Sequence, residues 1–167
     1  MNKNELIDLE ALLVDKLWGH LTLLQPQAEK EEMIEGILNA ATGAENKEKL
    51  TNDLQQLNGN REEKSKFIHN FLSYGILEDL LCDSEVEDII INSLNPIYVH
   101  HSQKGLISTG RRFQSQKELD LFVKKLMLFS GRGEFKKIIN LELPHLEGRV
   151  NIVFSAFGPQ ITITKAK

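Results

Sequence analysis

The chain has 167 residues, of which 41% are hydrophobic and 26% are charged, and its formal net charge is -4. This length accommodates one ordinary domain with a smaller helical annex, and the charge gives no sign of a nucleic-acid binder. The single cysteine, Cys82, excludes an intramolecular disulfide framework, and we expect it to be a small buried side chain after Leu80 and Leu81. No apolar run approaches the roughly 20 residues of a transmembrane helix, so we expect a cytoplasmic protein.

The first 73 residues carry apolar side chains at helical spacing. The pattern predicts four amphipathic helices, separated by turn residues at Gln25-Pro26, Thr42-Gly43 and Asn58-Gly59-Asn60. This stretch has 8 Lys or Arg against 13 Asp or Glu, whereas residues 74–167 have 12 against 11. We therefore interpret residues 1–73 as an acidic helical adaptor segment and residues 74–167 as a separate α/β domain.

After Tyr74-Gly75 a short amphipathic helix precedes β-branched runs bounded by turn residues, which are typical of strands. Ser115 and Glu118 form a capping-box sequence that starts a helix, and Gly131 is expected to end it. The predicted strands are Ile89–Ile91, Ile97–Val99, Leu106–Ile107, Ile138–Leu143, Arg149–Ser155 and Gln160–Lys165. The predicted fold class is α+β: an N-terminal amphipathic helical segment, followed by a mainly antiparallel βββ-α-βββ sheet domain that is PAS-like.

The sequence lacks the common catalytic motifs. No Gly-Lys pair occurs, so the chain has no Gly-x-x-x-x-Gly-Lys-Ser/Thr loop to hold nucleotide phosphates, and we interpret Gly131-Arg132-Gly133 as a helix stop. His100 and His101 are adjacent on a predicted strand and point to opposite faces, so they cannot share a metal ion. We assign no catalytic residue, no metal site and no cofactor to this chain.

Basic residues are concentrated between positions 103 and 140, with 9 Lys or Arg against 3 Asp or Glu. The candidates for a basic surface are Arg111, Arg112, Lys124, Lys125, Lys136 and Lys137. Such a surface suits a phosphate, an anionic membrane or an acidic partner, although a solvated helix face and two loops explain it equally. Nucleic acid is not expected, because no aromatic residues are interleaved with the charges.

Arg149 opens a predicted strand in which Val150, Ile152 and Phe154 face the core. The alternation leaves Arg149 and Asn151 on the opposite face. An exposed arginine at the start of a strand often does no more than increase solubility.

An ordered series of short motifs resembles the region that precedes the P-loop domain in CpaF-type ATPases of the Tad pilus, within the type II/IV secretion ATPase superfamily. The matching segments are Tyr74–Leu81, Glu87–Asn92, Ile97–Val99, Arg112-Phe113, Ser130–Arg132, Leu143-Pro144, Gly148–Asn151 and Ile161–Ile163. Two departures stand out. The family commonly has a shorter Leu-Pro-Asp-Gly-x-Arg-Val-Asn hairpin, and it commonly has an arginine near Lys165.

The resemblance implies a role in a larger enzyme. In that family, hexamers drive pilus assembly or secretion at the inner membrane, with ATP and Mg²⁺ bound between this region and a P-loop domain. By resemblance, Arg149 and Arg132 approach the nucleotide phosphates, since an arginine offers paired donors to phosphate oxygens. The implied partners are the chain's own ATPase domain, neighbouring subunits and inner-membrane platform proteins.

Two other interpretations stay open. One is a stand-alone interaction or small-ligand sensor module built on a similar sheet-and-helix domain. The other is an enzyme complete within these residues, although no pair of nucleophile and base supports it.

Overall fold

The computed structural model describes residues 2–18, 20, 27–40, 48–131, 134–143 and 148–165. The chain forms two compact units, Met1–Gly75 and Ile76–Lys167. Within the described ranges, no helix has the length and apolar composition needed to cross a bilayer.

The first unit is helical, with α1 (Lys3–Leu17), α2 (Gln27–Ala40), α3 (Glu48–Asn58) and α4 (Arg61–Phe71). Asn2 caps α1, and its side chain accepts a hydrogen bond from the Glu5 amide at 2.9 Å. The predicted break at Asn58-Gly59-Asn60 is confirmed, because Asn60 caps α4 by accepting from the Glu63 amide at 3.1 Å. The other two predicted breaks, at 25–26 and 42–43, lie outside the described residues.

The core of the helical unit consists of the apolar residues that recur at helical spacing. Its fully or almost fully buried members are Leu9, Leu13, Val14, Leu17, Ile34, Leu38, Leu54, Leu57 and Phe71. Burial of these side chains is the main favourable term that holds the helices together.

A 3₁₀ turn (Gly75–Leu77) leads into the second unit and is followed by a short helix, α5 (Glu78–Cys82). Its strands are β1 (Val86–Asn92), β2 (Tyr98–His101), β3 (Gly105–Ser108), β4 (Ile138–Leu143), β5 (Gly148–Ser155) and β6 (Gly158–Lys165), and α6 (Gln116–Ser130) lies between β3 and β4. The six strands form one antiparallel sheet in the order β3-β2-β1-β6-β5-β4. The predicted α+β class and the βββ-α-βββ element order are confirmed.

Helix α6 begins and ends as its sequence predicts. The Ser115 side chain accepts from the Glu118 amide at 3.2 Å, and Gly131 closes the helix in the left-handed conformation with φ of 73°. Leu119, Leu126 and Met127 are fully buried, and α6 packs against β4.

One face of the sheet is apolar and the other is polar. The cross-strand neighbours Ile89, Ile163 and Val150 belong to the buried face, as do Ile91 and Ile161. The alternate positions of the same strands are exposed or half-buried. The open face of the sheet is therefore a surface on which the fold places polar side chains in register.

Candidate functional site

The open face carries a row of polar side chains across five strands. In the strand register, His100 of β2 is the neighbour of Asp88 of β1, and Asp88 is the neighbour of Thr164 of β6. Thr164 is in turn the neighbour of Arg149 of β5, and Arg149 is the neighbour of Glu142 of β4. His100 Nδ1 lies 3.1 Å from Asp88 Oδ2. The row places two nitrogen-bearing side chains, His100 and Arg149, on one surface.

Arg149 is exposed on β5, whereas Val150 and Ile152 are buried, so their alternation across the sheet is confirmed. Asn151, on the same face as Arg149, donates from Nδ2 to Asn140 Oδ1 at 2.9 Å. Phe154 was expected in the core but is only half-buried, because it lies at the end of the strand, where its nearest aromatic neighbour is the exposed Phe135.

Arg111, a candidate for the basic surface, is engaged within the second unit. Its guanidinium donates to both carboxylate oxygens of Asp79, each at 2.5 Å, and to the Ile76 carbonyl at 2.9 Å. The hydrogen bonds from Arg111 lower the pKa of Asp79, and the Asp79 carboxylate raises the pKa of Arg111. The structure thus gives Arg111 a partner that fixes the loop before α6 to the start of α5.

The other basic candidates differ in their surroundings. Lys125 is buried in α6, and its Nζ lies 5.9 Å from the centroid of the Phe129 ring, while Lys124 is half-buried. Arg112, Lys136 and Lys137 are exposed, with Lys136 Nζ 3.8 Å from a Glu134 carboxylate oxygen. Arg132 lies outside the described residues. Of the six predicted positions, Arg112, Lys136 and Lys137 are therefore the ones whose side chains are presented to solvent.

Lys165 ends β6, near the place at which the family that the sequence resembles commonly has an arginine. Its Nζ donates to the Leu80 carbonyl at 3.4 Å and to the Asp83 carbonyl. These two carbonyls lie at the C-terminal end of α5, where a cation is favourable. The contacts therefore favour a structural role for Lys165.

No protein-family model matches the chain, and no curated protein does. Among solved structures, the chain is similar to the VirB11 ATPase of the Brucella suis type IV secretion system, whose crystal structure is a complex with sulphate. The TM-score is 0.43 at 17% sequence identity, over 55% of this chain and 29% of that chain. This chain thus spans less than a third of that ATPase.

Cys82 is exposed, so the prediction of a buried thiol was wrong. Helix α5 is short, its buried side is formed by Leu80 and Leu81, and Cys82 is its last residue, at the solvent-facing end. Apolar neighbours in sequence do not bury a residue when the helix ends there.

The two adjacent histidines contact different carboxylates. His100 pairs with Asp88, whereas His101 Nε2 lies 3.2 Å from Glu85 Oε2. In the part of the chain that the structure describes, no group of three His, Cys, Asp or Glu side chains is arranged to hold a metal ion.

Sequence reasoning missed an aromatic and basic surface at one end of the sheet. Phe135, Lys136 and Lys137, which precede β4, line an open depression together with Phe154, Ser155 and Ala156 from the β5–β6 hairpin. Phe157, at the tip of that hairpin, is 87% exposed. We call Phe135, Lys136, Lys137 and Phe157 the aromatic-lysine surface. The signal in the sequence was Phe157 itself, a large apolar residue between the two predicted strands Arg149–Ser155 and Gln160–Lys165.

Proposed function

We propose that this chain is the N-terminal assembly and coupling domain of a secretion or pilus-assembly motor ATPase of the CpaF type. The observation that carries the proposal is the position of Arg149. It is exposed on the open face of the sheet, within the Gly148–Asn151 segment that matches the family.

The order of the matching motifs supports the same proposal. Tyr74–Leu81 spans the 3₁₀ turn and most of α5, Glu87–Asn92 falls in β1, and Ile161–Ile163 falls in β6. Arg112-Phe113 directly precedes α6, and Phe113 is buried with its ring centroid 5.1 Å from that of Phe122. The motifs thus correspond to successive elements of one folded unit.

In this role, catalysis belongs to a P-loop domain that binds ATP and Mg²⁺. Arg149 donates paired hydrogen bonds to the phosphate oxygens, with Arg132 as a second donor. Loss of the γ-phosphate removes the acceptor, and the sheet unit is then free to move relative to the P-loop domain. Each arginine acts as a sensor of the nucleotide state.

The proposed partners are the neighbouring subunits of a hexamer and the inner-membrane platform protein. The helical unit is acidic, with an excess of five carboxylates over basic residues in positions 1–73 (13 against 8). We assign platform docking to this unit. Pull-down of the platform protein by the full-length enzyme, with and without residues 1–73, tests the assignment, and equal capture by both proteins would remove it.

The test of the motor role starts from the gene: the reading frame is expected to continue into a Gly-x-x-x-x-Gly-Lys-Ser/Thr segment. In that full-length enzyme, Arg149→Ala is expected to lower kcat by about tenfold or more, because a charge-assisted contact is lost. Arg149→Lys should retain part of the activity, since lysine keeps the charge but not the planar pair of donors.

Lys104→Ala is the matched control, because Lys104 is an exposed cation in the β2–β3 turn, away from Arg149. Neither alanine variant should change the free energy of unfolding by more than about 0.5 kcal/mol, as is usual for exposed side chains. A reading frame without a P-loop, or full turnover in Arg149→Ala, would contradict the proposal.

A further inference from the structure

The aromatic-lysine surface is built by two segments that the sheet holds together. The Phe154 amide donates to the Lys137 carbonyl at 2.9 Å, which continues the β4–β5 pairing past Ile138. The rings of Phe135 and Phe154 have centroids 6.5 Å apart. The two segments are therefore held in place by backbone pairing and a ring contact.

Two of the four residues of this surface are phenylalanines with exposed rings. Phe157 is 87% exposed and Phe135 is 56% exposed. Large apolar side chains that are exposed close together often mark interaction sites on soluble proteins. The same segments present Lys136 and Lys137, with Glu134 as the adjacent acidic residue.

We propose that the aromatic-lysine surface binds the headgroup region of an anionic lipid bilayer. Phe157 projects from a hairpin tip, and the adjoining depression is open, so the apolar groups protrude instead of forming a closed pocket. A protruding aromatic side chain fits a fluid interface, where rings partition between headgroups and acyl chains. Lys136 and Lys137 are both exposed and supply positive charge that complements lipid phosphates.

This inference deepens the proposed position at the inner membrane, and it assigns direct lipid contact to four residues of the sheet unit. A protein partner with an acidic, apolar groove is the competing occupant. The depression is open, and Phe157 stands exposed at the tip of the adjoining hairpin, which favours lipid over such a groove.

The test uses the whole chain with sedimented vesicles of phosphatidylcholine and phosphatidylglycerol, mixed at about three to one, against pure phosphatidylcholine vesicles. Binding to the anionic vesicles is expected to weaken with added salt. Lys136→Ala and Lys137→Ala should each lower the partition coefficient about fivefold. Phe157→Ala and Phe135→Ala should each lower it about tenfold, through lost apolar contact.

Leu106→Ala and Lys104→Ala are matched controls at the opposite edge of the sheet. Leu106 is 56% exposed, like Phe135, and Lys104 is exposed in the preceding turn. Both variants should bind anionic vesicles as the unaltered chain does. Equal losses in the control variants would overturn the assignment of the surface.

Depth of insertion gives a second measurement. A tryptophan in Phe157→Trp should be quenched by brominated acyl chains, whereas one in Leu106→Trp should not, each read against the background of Trp18. Absence of vesicle binding, or an unquenched Phe157→Trp, would overturn the proposal and favour a protein partner. The assay contains no nucleotide, so its failure is distinguishable from failure of the motor role, which is read in turnover of Arg149→Ala.

Discussion

At the scale of single residues, the contact between Arg111 and Asp79 shows how the fold uses an exposed charge. The guanidinium also donates to the Ile76 carbonyl, so one side chain satisfies an acceptor of the 3₁₀ turn and a carboxylate of α5. A single exposed ion pair usually contributes little to the free energy of unfolding. The two parallel hydrogen bonds between an arginine and a carboxylate have the geometry in which the contribution is largest. The pair stabilises the start of the sheet unit.

We expect Arg111→Ala to lower the free energy of unfolding by about 1 kcal/mol at pH 7, because it removes the ion pair and a backbone contact. The pair lowers the pKa of Asp79, so its contribution is complete above the ordinary aspartate pKa and is lost as the pH falls through the lowered value. Urea unfolding at neutral and acid pH checks this. Arg112→Ala, at the exposed neighbouring position, is the control, and an equal effect there would contradict the prediction.

At the scale of elements, the β5–β6 hairpin approaches the β1–β2 loop closely. Gly158 has φ of 102°, and a Cβ atom there would lie 2.5 Å from Ser93 Oγ. Ser93 itself has φ of 51°, and its amide donates to the Pro159 carbonyl at 3.0 Å. This contact joins the two hairpins beside the central β1–β6 pairing, and it requires glycine at position 158.

Gly158→Ala is expected to destabilise the sheet unit by about 1–3 kcal/mol, through backbone strain and the clash with Ser93. Relative to Ser93→Gly alone, the double variant Ser93→Gly/Gly158→Ala should show only the backbone-strain part of the loss, because the Ser93 side chain that causes the clash is absent. Chemical denaturation of the single and double variants measures both parts, with Ser93→Gly alone as the control. Unchanged stability in Gly158→Ala would show that the two loops can separate without cost.

At the scale of the whole molecule, the sheet unit has one buried face and one open face. The central strands β1 and β6 each have a neighbour on both sides, and Ile163 of β6 is fully buried between Ile89 and Val150. Thr162, the preceding residue, is exposed on the open face. The free energy of unfolding of the sheet unit therefore depends mainly on the side chains of the buried face. The side chains of the open face are available for binding.

We expect Ile163→Ala to lower the free energy of unfolding by about 2–5 kcal/mol, because it leaves a cavity in the core. Thr162→Ala should change it by less than about 0.5 kcal/mol. Because the chain has two compact units, amide hydrogen exchange in β1 and β6 is the suitable measurement. Similar losses in both variants would mean that the open face is covered in solution.

Much of the fold was predictable from local patterns. The period of the apolar residues identified the helices and strands, Ser115 and Gly131 marked the ends of α6, and the alternation around Val150 placed Arg149 on the outer face. These features depend on neighbours within one or two turns or along one strand. Strand ends were less exact: β1 begins at Val86, three residues before the predicted Ile89.

The candidate site was less predictable, because it depends on which strands lie side by side. Asp88 pairs with His100 and Thr164, and Phe135 meets Phe154, although no spacing in the sequence relates these residues. Arg111 appeared to belong to a basic surface until the fold brought Asp79 to it. Charge density along a chain does not predict charge density on its surface.

The sequence by itself determined the α+β class, the order of the elements and the outward direction of Arg149, since each follows from short-range periodicity and steric rules for turns. The tertiary structure decided that β6 pairs with β1 in the middle of the sheet, that Cys82 is exposed, and that two distant segments form the aromatic-lysine surface. These outcomes depend on contacts between residues far apart in the chain. The burial of apolar surface over the whole sheet favours those contacts. They do not show in the local pattern of the sequence, because they join residues that are far apart in the chain.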